Sequence, residues 1–305
     1  MNFSKIKRIT GELGLKKVIF DCDTSKLCSI GAGGRSAALV IVEDTEKLLS
    51  LIEALEKSNI KYIILGGGTN TVFGGGPMDH VLIKPGRSFG DINIEPGIKI
   101  EAGAALGTSN LVMKAARHGL DLAFLAGIPG TIGGAICGNS GTSGQWISGC
   151  IGRLKYISRS GNDLCLAECS GKEIQSGYRF FNIPGLIAIV SVILEPRADD
   201  SRVLLSKIKQ NMIKRKLSQP VGAKTSGCFF KNPGEDGRSA GALIEECGLK
   251  GFLYGGARVS PVHANFIENF KSALPEDIIV LSRIIKSKVI ERYGIDLEYE
   301  VRLIG

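Results

Sequence analysis

Apolar residues recur along the chain at the spacings that distinguish helices from strands. Four of them after Asp44 lie three or four positions apart, namely Leu48, Leu51, Ile52 and Leu55. This spacing predicts a helix with one buried face, capped by Asp44 or Thr45. Short β-rich segments at 38–42 and 62–65 flank it. The pattern therefore predicts a βαβ unit whose second strand leads into a run of three glycines.

The middle of the chain, from about residue 81 to 194, alternates short β-rich segments with glycine turns around one helix. That helix is predicted at 109–118 and is closed by Gly119. Another helix is predicted after Asp200, and it ends before Pro220. Its expected apolar side consists of Val203, Leu204, Ile208 and Met212. We expect an α+β fold with a domain boundary near residue 198.

The C-terminal region contains four further elements. A strand is predicted at 227–231, a helix at 240–247, a helix after Pro275 that ends at Gly294, and a strand at 297–304. The buried stripe of the third element is expected to consist of Ile278, Leu281, Ile285 and Val289. We therefore expect three domains, at 1–80, 81–198 and 199–305.

Composition narrows the classes of function. The chain has 305 residues, eight cysteines and a formal net charge of +8, but no basic run of five residues. This favours phosphorylated small molecules over nucleic acid as partners. The N-terminus lacks a signal-peptide pattern, and the apolar run at 186–194 is too short for a bilayer. We expect a cytoplasmic protein with reduced thiols, no metal site, no membrane insertion and no nucleic-acid partner, as a monomer or weak homo-oligomer.

Two glycine-rich loops are the strongest functional signals. Gly66-Gly67-Gly68-Thr69-Asn70 follows a predicted strand, and three consecutive glycines let peptide N–H groups approach an anion closely. The second loop runs from Leu125 to Gly134 and is followed by 139–141. A P-loop is excluded because no lysine follows the first loop, and a Rossmann fingerprint fails because Ser36 replaces its third glycine. If a dinucleotide binds, it binds through another fold.

Six motifs in order carry a resemblance to a known family. They are GGGTN, AGIPGTIGGAICGNSG, GYR at 177–179, SGCFFKNP at 226–233, HANFIEN at 263–269 and the C-terminal EVRLIG. Together they resemble the UDP-N-acetylenolpyruvoylglucosamine reductases, and the compact length is similar to the shorter, type II form. The resemblance covers the chain from about residue 27.

The resemblance implies a cofactor and a fold. It implies FAD bound by a domain of the vanillyl-alcohol-oxidase (PCMH) type in two lobes, followed by a C-terminal α+β substrate-binding domain, with NADPH as the hydride donor. The cofactor-binding residues it suggests are Gly66, Gly67, Gly68, Thr69, Asn70, Gly127, Ile128, Pro129, Gly130, Thr131, Gly133, Gly134, Asn139 and Gly141.

The implied reaction reduces the enolpyruvyl ether of UDP-N-acetylglucosamine-enolpyruvate to the lactyl ether of UDP-N-acetylmuramate, a peptidoglycan precursor. Arg179 is the candidate for binding the substrate carboxylate, because its planar guanidinium can hold both oxygens. Cys228 matches the family's proton donor, which is a serine or a cysteine. Glu300 is the candidate acid or electrostatic partner on the last strand. These three residues are the expected catalytic set.

Substrate contacts are carried over from the same motifs. Lys216 and Asn232 are expected at the phosphate and at the uridine or sugar, and Tyr178 at the sugar; Lys231 and His263 are further candidates. The sequence departs from the family pattern at Phe180-Phe181, in the turn at 74–79, and at Tyr299, where proline is frequent. Two alternatives stay open: another FAD oxidoreductase of the same fold, and a non-catalytic nucleotide-sugar-binding protein.

Overall fold

The structure is a computed structural model that describes residues 2–142, 144–161, 163–234 and 237–305. The α-helices of these residues are α1 (Phe3–Glu12), α2 (Thr45–Lys57), α3 (Thr108–Arg117), α4 (Ile132–Cys137), α5 (Ser201–Ser218), α6 (Ala240–Glu246) and α7 (Pro275–Tyr293). Among the described residues, no helix combines the length and the apolar character needed to cross a bilayer.

The strands of the described residues are short and numerous. They are β1 (Val18–Asp23), β2 (Arg35–Val42), β3 (Lys61–Ile64), β4 (Thr71–Phe73), β5 (Pro77–Pro85), β6 (Ile92–Glu95), β7 (Lys99–Gly103), β8 (Gly141–Thr142), β9 (Gln145–Trp146), β10 (Ile151–Ser160), β11 (Asp163–Ser170), β12 (Gln175–Gly177), β13 (Phe180–Asn182), β14 (Leu186–Leu194), β15 (Thr225–Cys228), β16 (Leu253–Tyr254), β17 (Ala257–Val259), β18 (Phe266–Asn269) and β19 (Arg302–Ile304).

The chain divides into two compact units. Unit 1 comprises the described residues of Met1–Phe20, Ala37–Gly67 and Asp79–Lys214, and unit 2 those of Asp21–Ser36, Gly68–Met78 and Arg215–Gly305. The expected three-domain division at residues 80 and 198 stays a prediction. The two-unit division differs from it because two early segments, 21–36 and 68–78, belong with the C-terminal region.

Unit 1 is built mainly on two sheets. One has the strand order β1-β2-β5-β3, and the other the order β11-β10-β14-β7-β6 with antiparallel pairing throughout. Helix α2 begins after Asp44, whose carboxylate accepts a hydrogen bond from Lys47 N–H (2.7 Å). Its four predicted apolar positions are fully buried. The predicted helix is confirmed, and β5 lies between the two strands that flank it in sequence.

Unit 2 combines the antiparallel sheet β15-β18-β17-β16 with helices α6 and α7 and with the parallel pair β19-β4. Helix α7 buries its predicted stripe of four residues completely and ends at Gly294, whose φ is 72°. A left-handed glycine is a common helix end because it carries no Cβ. The prediction for this helix is confirmed.

Three sequence predictions need correction. The strand predicted at 227–231 lies at Thr225–Cys228 instead. Helix α5 buries Leu204 and Ile208, but Val203 and Met212 are 44% and 54% exposed, so only half of the expected apolar side packs. The last strand is Arg302–Ile304 rather than 297–304, because only these residues pair with β4. Leu303 in this strand is 40% exposed.

Candidate active site

The two glycine loops meet within unit 1. Leu65 continues strand β3 by donating its N–H to Ile83 O (2.8 Å), and the chain then enters Gly66. A Cβ placed on Gly66 would lie 2.7 Å from Thr131 Oγ1, and one on Gly67 would lie 2.8 Å from the Cα of Gly130. Only glycine permits this approach, because real Cβ contacts are longer. The first loop is therefore held directly against the second.

The second loop is fixed by the segment that leads into α3. The Gly130 carbonyl accepts hydrogen bonds from both the N–H (3.0 Å) and the hydroxyl (2.9 Å) of Thr108. Ile132 donates its N–H to Leu106 O at 2.9 Å. Gly130 has a φ of 109°, a conformation that side-chain-bearing residues rarely adopt. The loop is thus a rigid backbone surface rather than a flexible turn.

The paired loops fit the diphosphate of FAD. In the part of the chain described, the peptide N–H groups of Gly66, Gly67 and Gly130 donate to no other protein group. Gly67, Gly127 and Pro129 are exposed. Unused N–H groups on glycine backbone are suited to bind phosphate oxygens. Glycines occupy these positions because the two loops contact each other. The sequence analysis explains them instead by close approach of the backbone to the cofactor.

The end of the first loop belongs to unit 2 and has a different environment. Gly68 has a φ of 65°, and its carbonyl accepts the N–H of Ser29 at 3.1 Å. The side-chain amide of Asn70 donates to Glu300 O at 3.0 Å, and the N–H of Arg302 donates to Asn70 O at 3.0 Å. Asn70, expected at the cofactor, therefore also holds the backbone of a predicted catalytic residue.

Arg179 occupies the two-residue turn that joins β12 to β13. Gly177 and Phe180 are opposite each other in this hairpin, so Tyr178 and Arg179 form its tip. Arg179 has a φ of 51°, which is uncommon for a residue with a side chain. Its guanidinium lies 5.4 Å from the centre of the Tyr178 ring. Both side chains are thus presented by a tight turn in unit 1.

Asn139 lies behind this hairpin and is fully buried, with a φ of 40°. Its Nδ2 donates to Gly177 O at 2.7 Å, and its Oδ1 accepts the N–H of Ser148 at 3.2 Å. Gly141 follows in β8, where a Cβ would clash with the Gln145 carbonyl. These two residues of the second glycine motif therefore have structural partners within unit 1.

Cys228 ends strand β15 in unit 2 and is half-buried. It is paired with Phe266, and the register shifts between Thr225 and Cys228, a stretch that contains Gly227 with a φ of 82°. The next residue is fixed on both sides: Phe229 N–H donates to Asn265 O at 2.8 Å, and Phe229 O accepts the N–H of Glu300 at 2.9 Å. The thiol-bearing strand and the glutamate-bearing segment are therefore directly hydrogen-bonded.

The segment that carries Glu300 is held by Tyr299. The Tyr299 ring stacks on Phe230 at 5.3 Å between centroids, and its hydroxyl lies 3.1 Å from Ser282 Oγ on α7. Lys286 Nζ lies 5.1 Å from the ring centre and donates to Leu297 O at 2.6 Å. Glu300 itself is half-buried. The tyrosine that departs from the family pattern thus anchors this segment through its ring and hydroxyl.

Four of the five predicted substrate contacts lie in unit 2. Lys231 Nζ pairs with Glu298 Oε2 at 3.1 Å, and Asn232 Oδ1 accepts the N–H of Ala240 at the start of α6 (3.0 Å). His263 Nδ1 accepts the N–H of Asn265 at 3.2 Å, and burial lowers the pKa of the imidazole. Lys216 is exposed on α5. The structure gives the first three residues local structural partners.

Asn265 is a residue that the sequence analysis did not single out. It is buried, its Oδ1 accepts Phe230 N–H at 2.9 Å, and its Nδ2 donates to Phe230 O at 2.8 Å. It therefore fixes the segment after Cys228 from both sides. The signal in the sequence is its place within the HANFIEN motif. That place does not distinguish a structural asparagine from one that binds a ligand.

Comparison with known proteins shows similarity over nearly the whole chain. Relatives named UDP-N-acetylenolpyruvoylglucosamine reductase include those of Desulfosudis oleivorans, at 32% identity over 95% of both chains, and Geotalea uraniireducens, at 34% over 91% of this chain and 90% of the relative. The solved UDP-N-acetylenolpyruvylglucosamine reductase of Thermus caldophilus matches with a TM-score of 0.79 and 29% identity. It covers 95% of this chain and 98% of its own.

The family models divide the match by region. Residues 36–162 match an FAD binding domain, and residues 219–304 match the C-terminal domain of UDP-N-acetylenolpyruvoylglucosamine reductase. The fold and the two loops define an FAD-dependent oxidoreductase with an α+β fold and a PCMH-type FAD-binding domain. The chain belongs to the UDP-N-acetylenolpyruvoylglucosamine reductase family. The expected family, fold class and cofactor are therefore confirmed.

Proposed function

We propose that the enzyme reduces the enolpyruvyl ether of UDP-N-acetylglucosamine-enolpyruvate to UDP-N-acetylmuramate with NADPH. Besides the family membership, the observation that supports this most is the hydrogen bond between Glu300 N–H and Phe229 O. It brings the Cys228 and Glu300 segments together in unit 2. A thiol and a carboxylate on paired segments are the groups that enol reduction needs, because charge develops on the substrate and a proton must then be delivered.

FAD would be held at its diphosphate by the abutting loops around Gly66, Gly67, Gly130 and Thr131. When bound, FAD supplies hydride transfer from NADPH to the terminal carbon of the enol. The loops contribute peptide N–H groups and a rigid surface, since Thr108 fixes the Gly130 carbonyl. Thr69, Asn70, Gly127, Ile128, Pro129, Gly133, Gly134 and Gly141 remain proposed parts of this site.

Arg179 binds the substrate carboxylate in this proposal. Hydride addition places negative charge on the carbon next to the carboxylate, and a fixed guanidinium stabilises that charge as it develops. The two-residue turn suits this role because it presents the side chain from a tight, uncommon backbone conformation. Tyr178, beside it in the turn, contacts the sugar.

Cys228 donates the proton that completes the reaction, and Glu300 polarises the enol electrostatically or as an acid. The proton passes from Cys228 Sγ to the carbon next to the carboxylate, and solvent then reprotonates the thiolate. Asn265 and Tyr299 keep the two segments in place. Lys216, Lys231, Asn232 and His263 are proposed contacts of the UDP-sugar; for Lys231 this requires exchange of its ion pair with Glu298.

Separate measurement of the two half-reactions tests this function. Under anaerobic conditions, NADPH should bleach the visible absorbance of the bound flavin, and the UDP-enolpyruvyl sugar should restore it. An alcohol oxidase of the same fold would be reduced by its alcohol substrate and would be unaffected by the enol ether. A protein purified without flavin that also fails to bind added FAD would contradict the proposal.

The glycine contact predicts a specific loss of cofactor. In Gly67→Ala the new Cβ would lie 2.8 Å from the Gly130 Cα, so the loops must separate. We expect a folded protein with much less bound FAD, measured as released flavin per chain. Gly149→Ala is the control, because a Cβ there meets no atom within 4 Å. Full FAD content in Gly67→Ala would show that loop contact is not needed for binding.

A further inference from the structure

The Arg179 hairpin has few means of fixing its own position. Strands β12 and β13 have three residues each and form a two-stranded sheet of their own. A two-stranded hairpin is only marginally stable by itself. Its position must therefore be set by contacts from the rest of unit 1, and a displacement of its tip moves Arg179 directly.

The Asn139 amide supplies such a contact next to the tip. Gly177, whose carbonyl accepts the Asn139 Nδ2 hydrogen at 2.7 Å, is the last residue of β12 and immediately precedes Tyr178. The amide is held at its other end by Ser148 N–H, at 3.2 Å from Oδ1. Because donor and acceptor are both used, the amide orientation is fixed.

The burial of Asn139 distinguishes this role from a cofactor contact. Its side chain has a relative exposure of 0%, so it presents no surface to a ligand. Its φ of 40° is a conformation that asparagine tolerates better than most residues with a side chain. With this backbone conformation, the amide lies against the hairpin and donates to the Gly177 carbonyl.

We propose that Asn139 is a positioning residue that sets the Tyr178–Arg179 turn for the anionic substrate. It acts through the Gly177 carbonyl and touches neither substrate nor FAD. This inference rests on the proposed role of Arg179. It assigns to the asparagine of the second glycine motif a function in the substrate half of the reaction rather than in cofactor binding.

Asn139→Gly is the first test, because glycine accepts the positive φ and removes the side chain with its amide. Asn139→Asp is the second test. Aspartate keeps the size of the side chain and the acceptor for Ser148 N–H, but it places an oxygen that cannot donate next to the Gly177 carbonyl oxygen. We expect both to keep FAD content and the rate of flavin reduction by NADPH. Calorimetric affinity for the UDP-enolpyruvyl sugar and the rate of flavin reoxidation by it should fall by about tenfold to a hundredfold, as for a displaced binding group.

Asn211→Ala is the matched control. Asn211 is a half-buried asparagine of unit 1 whose Nδ2, like that of the fully buried Asn139, donates to a backbone carbonyl, here Ala123 O at 2.9 Å. Its loss should leave substrate affinity and both half-reactions unchanged. If one Asn139 variant does not fold, the other provides the measurement. If neither folds, Asn139 is a residue of general stability and the proposal is wrong.

A double-mutant cycle separates this inference from the proposed function. If Asn139 acts through Arg179, then Asn139→Gly combined with Arg179→Ala should be no slower than Arg179→Ala alone. Additive losses would overturn the positioning role, as would wild-type reoxidation in the single Asn139 variants or loss of FAD in both. Wild-type behaviour of Arg179→Ala would instead contradict the role of Arg179 itself.

Discussion

Cys228→Ala should lose about 10²- to 10⁴-fold in turnover, because removal of a general acid typically costs that much. FAD content and flavin reduction by NADPH should be unchanged, since the thiol acts only after hydride transfer. Stopped-flow measurement of each half-reaction would locate the loss in reoxidation by the UDP-sugar. Cys228→Ser should recover a substantial part of the rate, because the hydroxyl can donate from a similar position.

The matched control for this prediction is Cys247→Ala. Cys247 is also a half-buried cysteine of unit 2, and its thiol donates a hydrogen bond to the Lys288 carbonyl at 3.6 Å. Its loss should leave turnover unchanged. If Cys228→Ala turned over at the rate of Cys247→Ala, Cys228 would be a structural thiol and another group would donate the proton.

Arg179→Ala should slow flavin reoxidation by the UDP-sugar about 10²- to 10³-fold, the range observed when one donor to a developing anion is removed. Arg179→Lys should recover little of this, because an ammonium keeps the charge but not the planar pair of donors. Lysine and arginine both carry a Cβ, so the backbone strain at a φ of 51° is the same in the wild type and in the lysine variant. The comparison therefore isolates the guanidinium.

Arg153→Lys provides the control for the arginine series. Arg153 is an exposed residue of β10 in the same unit, paired with Glu168 Oε2 at 3.3 Å. Flavin reduction by NADPH should proceed at the wild-type rate in all these variants. If the Arg179 variants were reoxidised by the UDP-sugar as fast as Arg153→Lys, Arg179 would not bind the carboxylate.

The fold was predictable where local periodicity coincides with burial. Helices α2 and α7 carry four apolar residues at helical spacing, and each of these residues is fully buried. Periodicity fails where pairing depends on distant partners. The alternating residues 297–304 are typical of one strand, yet only Arg302–Ile304 pair with Thr71–Phe73, whereas Tyr299 forms an isolated bridge to Phe230. Local periodicity also cannot predict that 21–36 and 68–78 belong to unit 2, because this depends on contacts with residues far away in sequence.

The site was predictable as a set of motifs but not as a set of contacts. The family resemblance suggests Asn70 and Asn139 as contacts of FAD. In the structure their amides bond to Glu300 O and Gly177 O, which lie 230 and 38 residues away in sequence. Glycine content likewise predicted close approach, but the partner of Gly67 is Gly130 on the other loop. Such pairings arise only when the chain has folded.

The central claim, reduction of an enol ether with separate delivery of hydride and proton, is tested most directly by the product formed in D₂O. The enzyme, NADPH and the UDP-enolpyruvyl sugar would be combined anaerobically, and the product examined by mass spectrometry and proton NMR. We expect the lactyl ether, with solvent deuterium at the carbon next to the carboxylate. Recovery of unchanged enolpyruvyl ether from fully reduced enzyme, or a product with no solvent deuterium at that carbon, would contradict the proposed reaction.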